Sequence, residues 1–239
     1  MASMSTIPSI SSTFGEPERL PLTLVDLANR FGEIPASRIC LDPSPGEATE
    51  QDLLAYSERG ERLFELVKGT LIEKTMGSFE SFVAGRIFGM LFGFLQTHPL
   101  GIVLPADGQL KIRRDTIRVP DVCFIARDRL KASDFLTARI ASVSPNLAVE
   151  VISPSNSQRE MEDKLADYFD TGTEEVWYVY PVTRELHQFT SLTSCSALKE
   201  TATLVSPQLL PGFSLPIASI FVDPLADETP AAGPSKKDG

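Results

Sequence analysis

The chain has 239 residues, of which 42% are apolar and 23% are charged. These proportions are typical of a globular protein with a substantial core, and they exclude a wholly disordered or fibrous chain. The formal net charge of -10 excludes a protein that wraps duplex DNA through a broad basic surface.

The composition along the chain predicts four consecutive segments. Residues 1–20 are rich in Ser and Pro and predict a flexible N-terminus, and residues 21–60 predict a helical segment. Residues 61–222 have a denser apolar pattern and predict the main domain. Residues 223–239 lack an apolar period and predict a disordered tail. The two helices of the second segment are predicted at residues 21–31 and 49–59.

In the main domain, strand patterns alternate with helix patterns. Strands are predicted at 63–76 (a hairpin turning at Lys68-Gly69), 101–104, 109–113, 117–126, 146–152, 176–180, 185–190 and 198–205. A turn at Asp107-Gly108 joins the predicted strands 101–104 and 109–113. Helices are predicted at 78–97 and 158–171, the latter with a Ser157/Glu160 capping box and a stop at Gly172. The order helix, three strands, helix, strand predicts a mixed α/β sheet with helices on its faces and extra strands around it.

The first long helix carries glycines at every fourth position, Gly85, Gly89 and Gly93. In a bilayer this spacing indicates helix dimerisation. Each glycine costs about 1 kcal/mol of helix propensity, so we expect the stripe to press closely against the sheet. The most apolar part, residues 82–95, is shorter than the roughly 20 residues of a membrane span and contains Arg86. We therefore expect no membrane segment.

The N-terminus and the cysteines bear on location. The first 20 residues have neither the basic start nor the apolar core of an export signal. The three cysteines are odd in number and widely spaced, so they form neither a disulfide framework nor a zinc cluster. We therefore expect a cytoplasmic protein.

Two acidic residues fall within apolar strands. Read with period two, Asp121 shares a face with apolar residues of 117–125, and Glu150 does so in Leu147–Ile152. A buried lone carboxylate is costly unless it is paired, hydrogen-bonded or bound to a metal. Each acid could pair with an arginine, or Asp121 could make a turn after Pro120. Two converging carboxylates also suit a hard cation such as magnesium.

A lysine on the second long helix is a third candidate. The buried stripe of this helix comprises Met161, Leu165, Tyr168 and Phe169. Lys164 lies beside the stripe, on a helix that begins just after the strand carrying Glu150. Its ammonium could therefore reach the carboxylates, and an ordinary surface lysine is the alternative.

Five segments occur in a recognisable order. They are RVPDV at 118–122, LAVEVISPS at 147–155, Lys164 with Tyr168 and Gly172, VWYV at 176–179, and LPGFSLPIASIF at 210–221. Together they resemble the Uma-two family, a branch of the PD-(D/E)XK nuclease superfamily. The resemblance covers about residues 50–221. It implies a restriction-endonuclease-like core and a magnesium-dependent endonuclease that hydrolyses DNA.

The resemblance also implies roles for individual residues. Asp121 matches the first metal-binding acid and Glu150 the second, and the backbone carbonyl of Val151 is the implied third ligand. The implied cation is Mg²⁺, with Mn²⁺ as an alternative. The superfamily's usual lysine position holds Ile152 here, and Lys164 matches the substitute lysine on the following helix. It would orient the attacking water or offset charge on the phosphate.

A fifth candidate is Glu80, at the start of the first long helix, where the superfamily often places another acid. A first-turn glutamate favoured by the helix dipole is the alternative.

The charge distribution does not decide which partner the protein binds. Residues 111–139 hold eight basic and four acidic residues, which indicates either scattered solvated charge or a phosphate-binding strip for weak, salt-sensitive DNA binding. Many nucleases of the fold that the resemblance implies work as dimers, because two cuts need two sites, so a homodimer is one possibility, and the sequence leaves the oligomeric state open. A catalytically silent relative that binds nucleic acid or a protein, favoured by Ile152 and the acidity, remains an alternative. So does a hydrolase of RNA or a small phosphoester.

Overall fold

A computed structural model describes residues 23–32, 34–60 and 62–223. The predicted flexible start at 1–20 and all but the first residue of the predicted tail lie outside the described residues. The helices are α1 (Leu24–Phe31), α2 (Glu50–Arg59), α3 (Ser78–Thr97), α4 (Ala132–Thr137) and α5 (Gln158–Asp170). The strands are β1 (Phe64–Val67), β2 (Thr70–Glu73), β3 (Gly101–Leu104), β4 (Leu110–Arg113), β5 (Thr116–Arg118), β6 (Val122–Ala126), β7 (Leu147–Val151), β8 (Glu175–Tyr180), β9 (Glu185–Ser191), β10 (Ser194–Lys199), β11 (Thr203–Ser206) and β12 (Leu210–Pro216).

The centre of the fold is a six-stranded sheet in the order β10-β9-β8-β7-β6-β3. Strands β7 and β8 are parallel, and the other neighbours are antiparallel. In chain order α3, β3, β6, β7, α5 and β8 reproduce the predicted series of helix, three strands, helix and strand. The prediction of a mixed α/β sheet with a restriction-endonuclease-like core is confirmed.

The two long helices cover opposite faces of this sheet. Because side chains alternate along a strand, Val149 of β7 joins the cluster with Ile87 of α3. Ala148, its neighbour in β7, joins the cluster with Met161 and Tyr168 of α5. Glu150 therefore points to the α5 face, in phase with Ala148.

A second, antiparallel sheet in the order β2-β1-β5-β4 carries the N-terminal segment. Leu53 of α2 packs with Leu66 and Leu71 of the β1–β2 hairpin. The hairpin turns at Lys68 and Gly69, whose φ angles are 49° and 74°, as a two-residue type I′ turn requires. A Cβ on Gly69 would lie 2.6 Å from the carbonyl oxygen of Gly46, so glycine is also needed there for close approach.

The predicted strand 117–126 is wrong in one respect, because it divides at Pro120. Its first part is β5, in the second sheet, and its second part is β6, in the central sheet. Proline has no amide hydrogen to donate to a ladder, which favours a strand end. The period-two phase drawn through Asp121 from Ile117 therefore does not hold, although Asp121 is buried.

Three smaller predictions are also corrected. The predicted strands 101–104 and 109–113 exist, but they lie in different sheets and do not form a hairpin. The predicted strand 198–205 is the end of β10, a turn and the start of β11. The capping box of α5 is one-sided. Ser157 accepts from the Glu160 amide at 3.1 Å, but the Glu160 carboxylate pairs with Arg38 at 2.8 Å.

The glycine stripe of α3 lies on the exposed side of the helix. A Cβ at Gly85, Gly89 or Gly93 would meet nothing within 4 Å, so the expected close packing against the sheet is wrong. The face of α3 that does pack comprises Val83, Ala84, Ile87, Leu91 and Leu95. Larger apolar side chains fit this face, because the sheet surface beneath it is formed by strands of β-branched and aromatic residues.

The length argument against a membrane span is also wrong. Within the described residues, α3 has 20 residues and is long and apolar enough to cross a membrane by length and composition, with 28% of its most apolar window buried. Core helices pass the same test, and α3 packs on the central sheet through its Val83–Leu95 face.

Candidate active site

Strands β6 and β7 bring Asp121 beside Glu150. Val122 pairs with Val149 in the antiparallel register, and the Asp121 amide donates to the Val149 carbonyl at 2.9 Å. The Val151 amide then donates to Oδ2 of Asp121 at 2.6 Å. Both acids are buried, with exposed fractions of 3% and 4%. The structure therefore brings together the two carboxylates singled out in the sequence.

Helix α5 supplies two groups to Glu150. Lys164 donates from Nζ to Oε2 at 3.0 Å, and the Tyr168 hydroxyl donates to Oε1 at 2.6 Å. Lys164 is 3% exposed, so it is not an ordinary surface lysine. Burial, followed by the charges of Glu150 and Glu65, raises the pKa of Tyr168 well above its usual range. The phenol therefore stays protonated and donates.

Lys74, just past the end of β2, is a site residue that the sequence analysis missed. Its Nζ lies 2.8 Å from Asp121 Oδ1 and 3.6 Å from Glu150 Oε2, and it donates to the Val119 carbonyl. Burial would lower the pKa of this ammonium, but the charges of Asp121, Glu150 and Glu65 outweigh burial and raise it. Thr70, Leu71 and Ile72 are all buried, so no alternation along β2 marks Lys74, and no local sequence pattern pointed to it.

Glu65 of β1 is the second missed residue. Its Oε1 accepts from the Val119 amide at 3.0 Å and lies 3.4 Å from Lys164 Nζ. Its Oε2 accepts from Arg118 at 2.9 Å. Burial would raise the pKa of Glu65, but the charges of Lys164, Arg118 and Lys74 hold it well below its usual range. The sequence could have indicated Glu65, because it is an acid within the apolar run FELV, the same kind of pattern that identified Glu150.

Arg118 links this cluster to α5. It is buried between Glu65 and Asp167, and its Nη2 lies 2.5 Å from Asp167 Oδ2. Burial would lower the pKa of the guanidinium, but the charges of Glu65 and Asp167 raise it. Arg118 therefore remains charged and fixes the distance between β1, β5 and α5, the elements that carry Glu65, Arg118 and Lys164.

The donor set fits a hard divalent cation in part. Asp121 Oδ1 is buried and has no hydrogen-bond partner among the described residues, although Nζ of Lys74 faces it. Two carboxylates and a carbonyl suit Mg²⁺, which keeps several waters. In the described part of the chain, no three His, Cys, Asp or Glu side chains converge as metal ligands. Glu80 therefore does not join Asp121 and Glu150, and its carboxylate folds back over Gly77 at the start of α3.

A cleft of about 490 Å³ lies where β2 and β7 end. Its walls include Thr75, which follows Lys74, and Ser153 and Ser155, which follow β7. Ser153 Oγ lies 2.7 Å from Ser155 Oγ, and Thr75 Oγ1 lies 3.2 Å from Ser155 Oγ. The cleft lining includes neither Asp121 nor Glu150, and both carboxylates are buried.

The basic region 111–139 is largely neutralised by acids. Arg118 is buried in the site cluster, and four other residues form ion pairs: Lys111 with Glu50, Arg113 with Asp167 and Asp170, Arg129 with Glu174, and Arg139 with Glu58. Most of its positive charge is therefore compensated within the chain. This arrangement favours the interpretation of scattered solvated charge over a continuous phosphate-binding strip.

Comparisons with known proteins agree with this architecture. The family model Uma2, described as "Putative restriction endonuclease", matches residues 50–218. A crystal structure from Anabaena variabilis, described as "a putative nuclease belonging to DUF820", superposes with a TM-score of 0.57 and 16% identity, covering 67% of this chain and 90% of that chain. At this identity the superposition shows a shared fold. No curated protein matches the chain.

The family match bears on function as well as fold. It spans most of the chain and includes Asp121, Glu150 and Lys164, and the family's description supports a hydrolase that acts on nucleic acids. The chain belongs to the Uma2 family.

Proposed function

We propose that this protein is a Mg²⁺-dependent endonuclease that hydrolyses phosphodiester bonds of DNA. One observation carries the proposal: Asp121, just before β6, and Glu150, in the neighbouring strand β7, both lie within 3.6 Å of Nζ of Lys74. A position flanked by two carboxylates is one that a small cation can occupy. The family's description as a restriction endonuclease supports DNA as the substrate class.

Asp121 and Glu150 would hold the cation, together with the carbonyl of Val151. When bound, Mg²⁺ would polarise a phosphate oxygen and lower the pKa of a coordinated water. Asp121 is held for this task by the Val151 amide on Oδ2, which leaves Oδ1 directed towards the cation position. Tyr168 similarly fixes Oε1 of Glu150.

Lys164 would orient the attacking water or offset charge that develops on the phosphate. Its ammonium reaches Glu150 from α5, and Glu65 lies on its other side at 3.4 Å. Arg118 and the Val119 amide position Glu65 in turn. The lysine therefore keeps the function that Ile152 cannot perform, from a different element of the fold.

The second candidate function is a catalytically silent nucleic-acid-binding or protein-binding relative. It is favoured by the burial of both carboxylates and by the two lysine ammonium groups that neutralise them. A nuclease must admit a phosphate to these buried carboxylates, whereas a silent relative keeps the cluster closed as a structural core.

Cleavage of supercoiled plasmid separates these functions. Purified protein is incubated with plasmid and either Mg²⁺ or EDTA, beside the variants Asp121→Asn and Glu150→Gln. Asp128→Asn is the matched control, because Asp128 is an exposed acid on the same segment as Asp121. We expect cutting by the wild type and the control in Mg²⁺, and at least about a hundredfold less by the two site variants.

Equal cutting by all four proteins would indicate a contaminating nuclease and would remove support for the site. No cutting by the wild type in either Mg²⁺ or Mn²⁺ would favour the silent relative. The same series with single-stranded DNA, RNA and a chromogenic phosphodiester tests the substrate class, and a preference for RNA or the small ester would contradict the assignment to DNA.

A further inference from the structure

The ammonium of Lys74 occupies the position between the two carboxylates where a cation would bind. It lies 2.8 Å from Asp121 Oδ1 and 3.6 Å from Glu150 Oε2. Magnesium binds carboxylate oxygens at about 2.1 Å, so a metal shared by these oxygens must lie in the space beside them that Nζ now fills. Two cations cannot both occupy that space without strong repulsion.

The other contacts of the site indicate that Lys74 is the residue that holds the metal position. Glu150 already has a hydroxyl on Oε1 and the Lys164 ammonium on Oε2. Asp121 Oδ2 accepts from the Val151 amide. Among the described residues, Lys74 makes the only ion pair with Asp121, and it does so at the oxygen that lacks a hydrogen-bond donor of good geometry.

Lys74 also has a route by which to leave. It lies one residue beyond the last residue of β2, and the next residue, Thr75, lines the open cleft. A lysine side chain has a flexible four-carbon stem and a strongly hydrated head. Rotation about that stem can carry Nζ away from the carboxylates, and hydration of the ammonium would offset part of the lost ion pairs.

We propose that Lys74 is a resident counter-ion that a divalent metal must displace, so that this lysine sets the metal affinity of the site and stabilises the site in the absence of metal. The proposal rests on the proposed function, since it concerns the same metal position. It assigns Lys74 a positioning role that is separate from the catalytic role of Lys164.

Calorimetric titration with Mn²⁺ tests the proposal on wild type, Lys74→Met, Lys164→Met and Lys111→Met. Methionine keeps most of the side-chain volume and removes the charge. Lys111 is the matched control, because it pairs with Glu50 at the surface. We expect Lys74→Met to bind Mn²⁺ at least about tenfold more tightly than wild type. Lys164→Met should gain less, and Lys111→Met should match wild type.

Thermal melting gives a second readout. Without metal, Lys74→Met should melt below wild type, because two buried carboxylates lose a cation, and Mn²⁺ should raise its melting temperature more than that of wild type. Equal or weaker Mn²⁺ binding by Lys74→Met would overturn the proposal. An equal gain in Lys164→Met would also overturn it, because general charge removal would then explain the effect.

Crystals of the wild type with and without Mn²⁺ keep the proposal testable if Lys74→Met does not fold. We expect Nζ of Lys74 to move away from Asp121 Oδ1 when the metal binds, and a metal bound at Asp121 with Nζ still in place would overturn the proposal. If no protein binds Mn²⁺, the metal-dependent function fails and this proposal fails with it. If wild type binds Mn²⁺ and cuts plasmid while Lys74→Met binds equally, only this proposal fails.

Discussion

Replacement of Arg118 by methionine should strongly destabilise the fold. The guanidinium is buried between Glu65 and Asp167, at 2.9 Å and 2.5 Å, and all three side chains are at most 7% exposed. Removing one partner of a buried ion pair typically costs about 3–5 kcal/mol. We expect the lower end of that range here, because Glu65 keeps Lys164 at 3.4 Å and Asp167 keeps Arg113 at 2.8 Å. Because a domain is stable by only about 5–15 kcal/mol, Arg118→Met should lose a large part of the free energy of unfolding.

Urea denaturation can measure this loss through the fluorescence of Trp177, the single tryptophan of the chain, which is fully buried. Arg139→Met is the control, since Arg139 and Glu58 are 61% and 58% exposed and such pairs contribute about 0–1 kcal/mol. Adding Glu65→Gln to Arg118→Met should restore part of the loss, because the buried Glu65 carboxylate would otherwise keep only the more distant Lys164 ammonium, at 3.4 Å, as a cation partner.

Equal losses of stability in Arg118→Met and Arg139→Met would contradict this prediction. Such a result would mean that water reaches Glu65 and Asp167 in the folded protein. The described burial of the cluster around Lys164 would then be incorrect, and the positioning of Lys164 by Glu65 would lose its support.

Three further predictions concern acid stability, the helix glycines and Lys164. Burial would raise the pKa of Glu160, but the hydrogen bond and charge of Arg38 and the charge of Lys164 lower it. The ionised Glu160 carboxylate therefore stabilises the fold at neutral pH, and this contribution is lost as pH falls below about 4.3. The melting temperatures of wild type and Glu160→Gln should therefore converge in acid, and a constant difference between them would contradict this. Gly85→Ala should stabilise α3 by about 1 kcal/mol, because the space around Gly85 is open. Gly69→Ala should destabilise the β1–β2 hairpin by about 1 kcal/mol or more, because the φ angle of Gly69 is positive and the Gly46 carbonyl is close. Equal effects of the two substitutions in urea denaturation would refute this contrast. Lys164→Met should lower plasmid cleavage about a hundredfold while the protein still binds Mn²⁺, and unchanged cleavage would remove Lys164 from the mechanism.

Much of the fold could be predicted from local patterns. Helix α3 begins and ends where the apolar spacing indicates, at Ser78 and Thr97, and the hairpin turns at Lys68 and Gly69, because both features depend on short-range spacing and on turn residues. The division of the strand at Pro120 was harder to predict. It assigns two halves of one apolar run to different sheets, and sheet membership depends on long-range packing.

The residues of the candidate site also differ in whether local sequence patterns could identify them. Asp121, Glu150 and Lys164 could be found because each breaks an apolar pattern or matches a family segment. Lys74 and Glu65 come from a hairpin in another sheet, and only the folded chain brings them within 3.6 Å of their partners. The position of the glycine stripe on α3 could not be predicted either, since both faces of this helix are rich in apolar residues.

The proposed function requires that Asp121 and Glu150 together hold one divalent cation. Electron paramagnetic resonance of Mn²⁺ titrated into wild type, Asp121→Asn and Glu150→Gln tests it most directly, because it counts bound metal without reference to any substrate. We expect one bound Mn²⁺ per wild-type chain and none in either variant. Binding of Mn²⁺ by both variants as in wild type, or no binding by wild type, would contradict it.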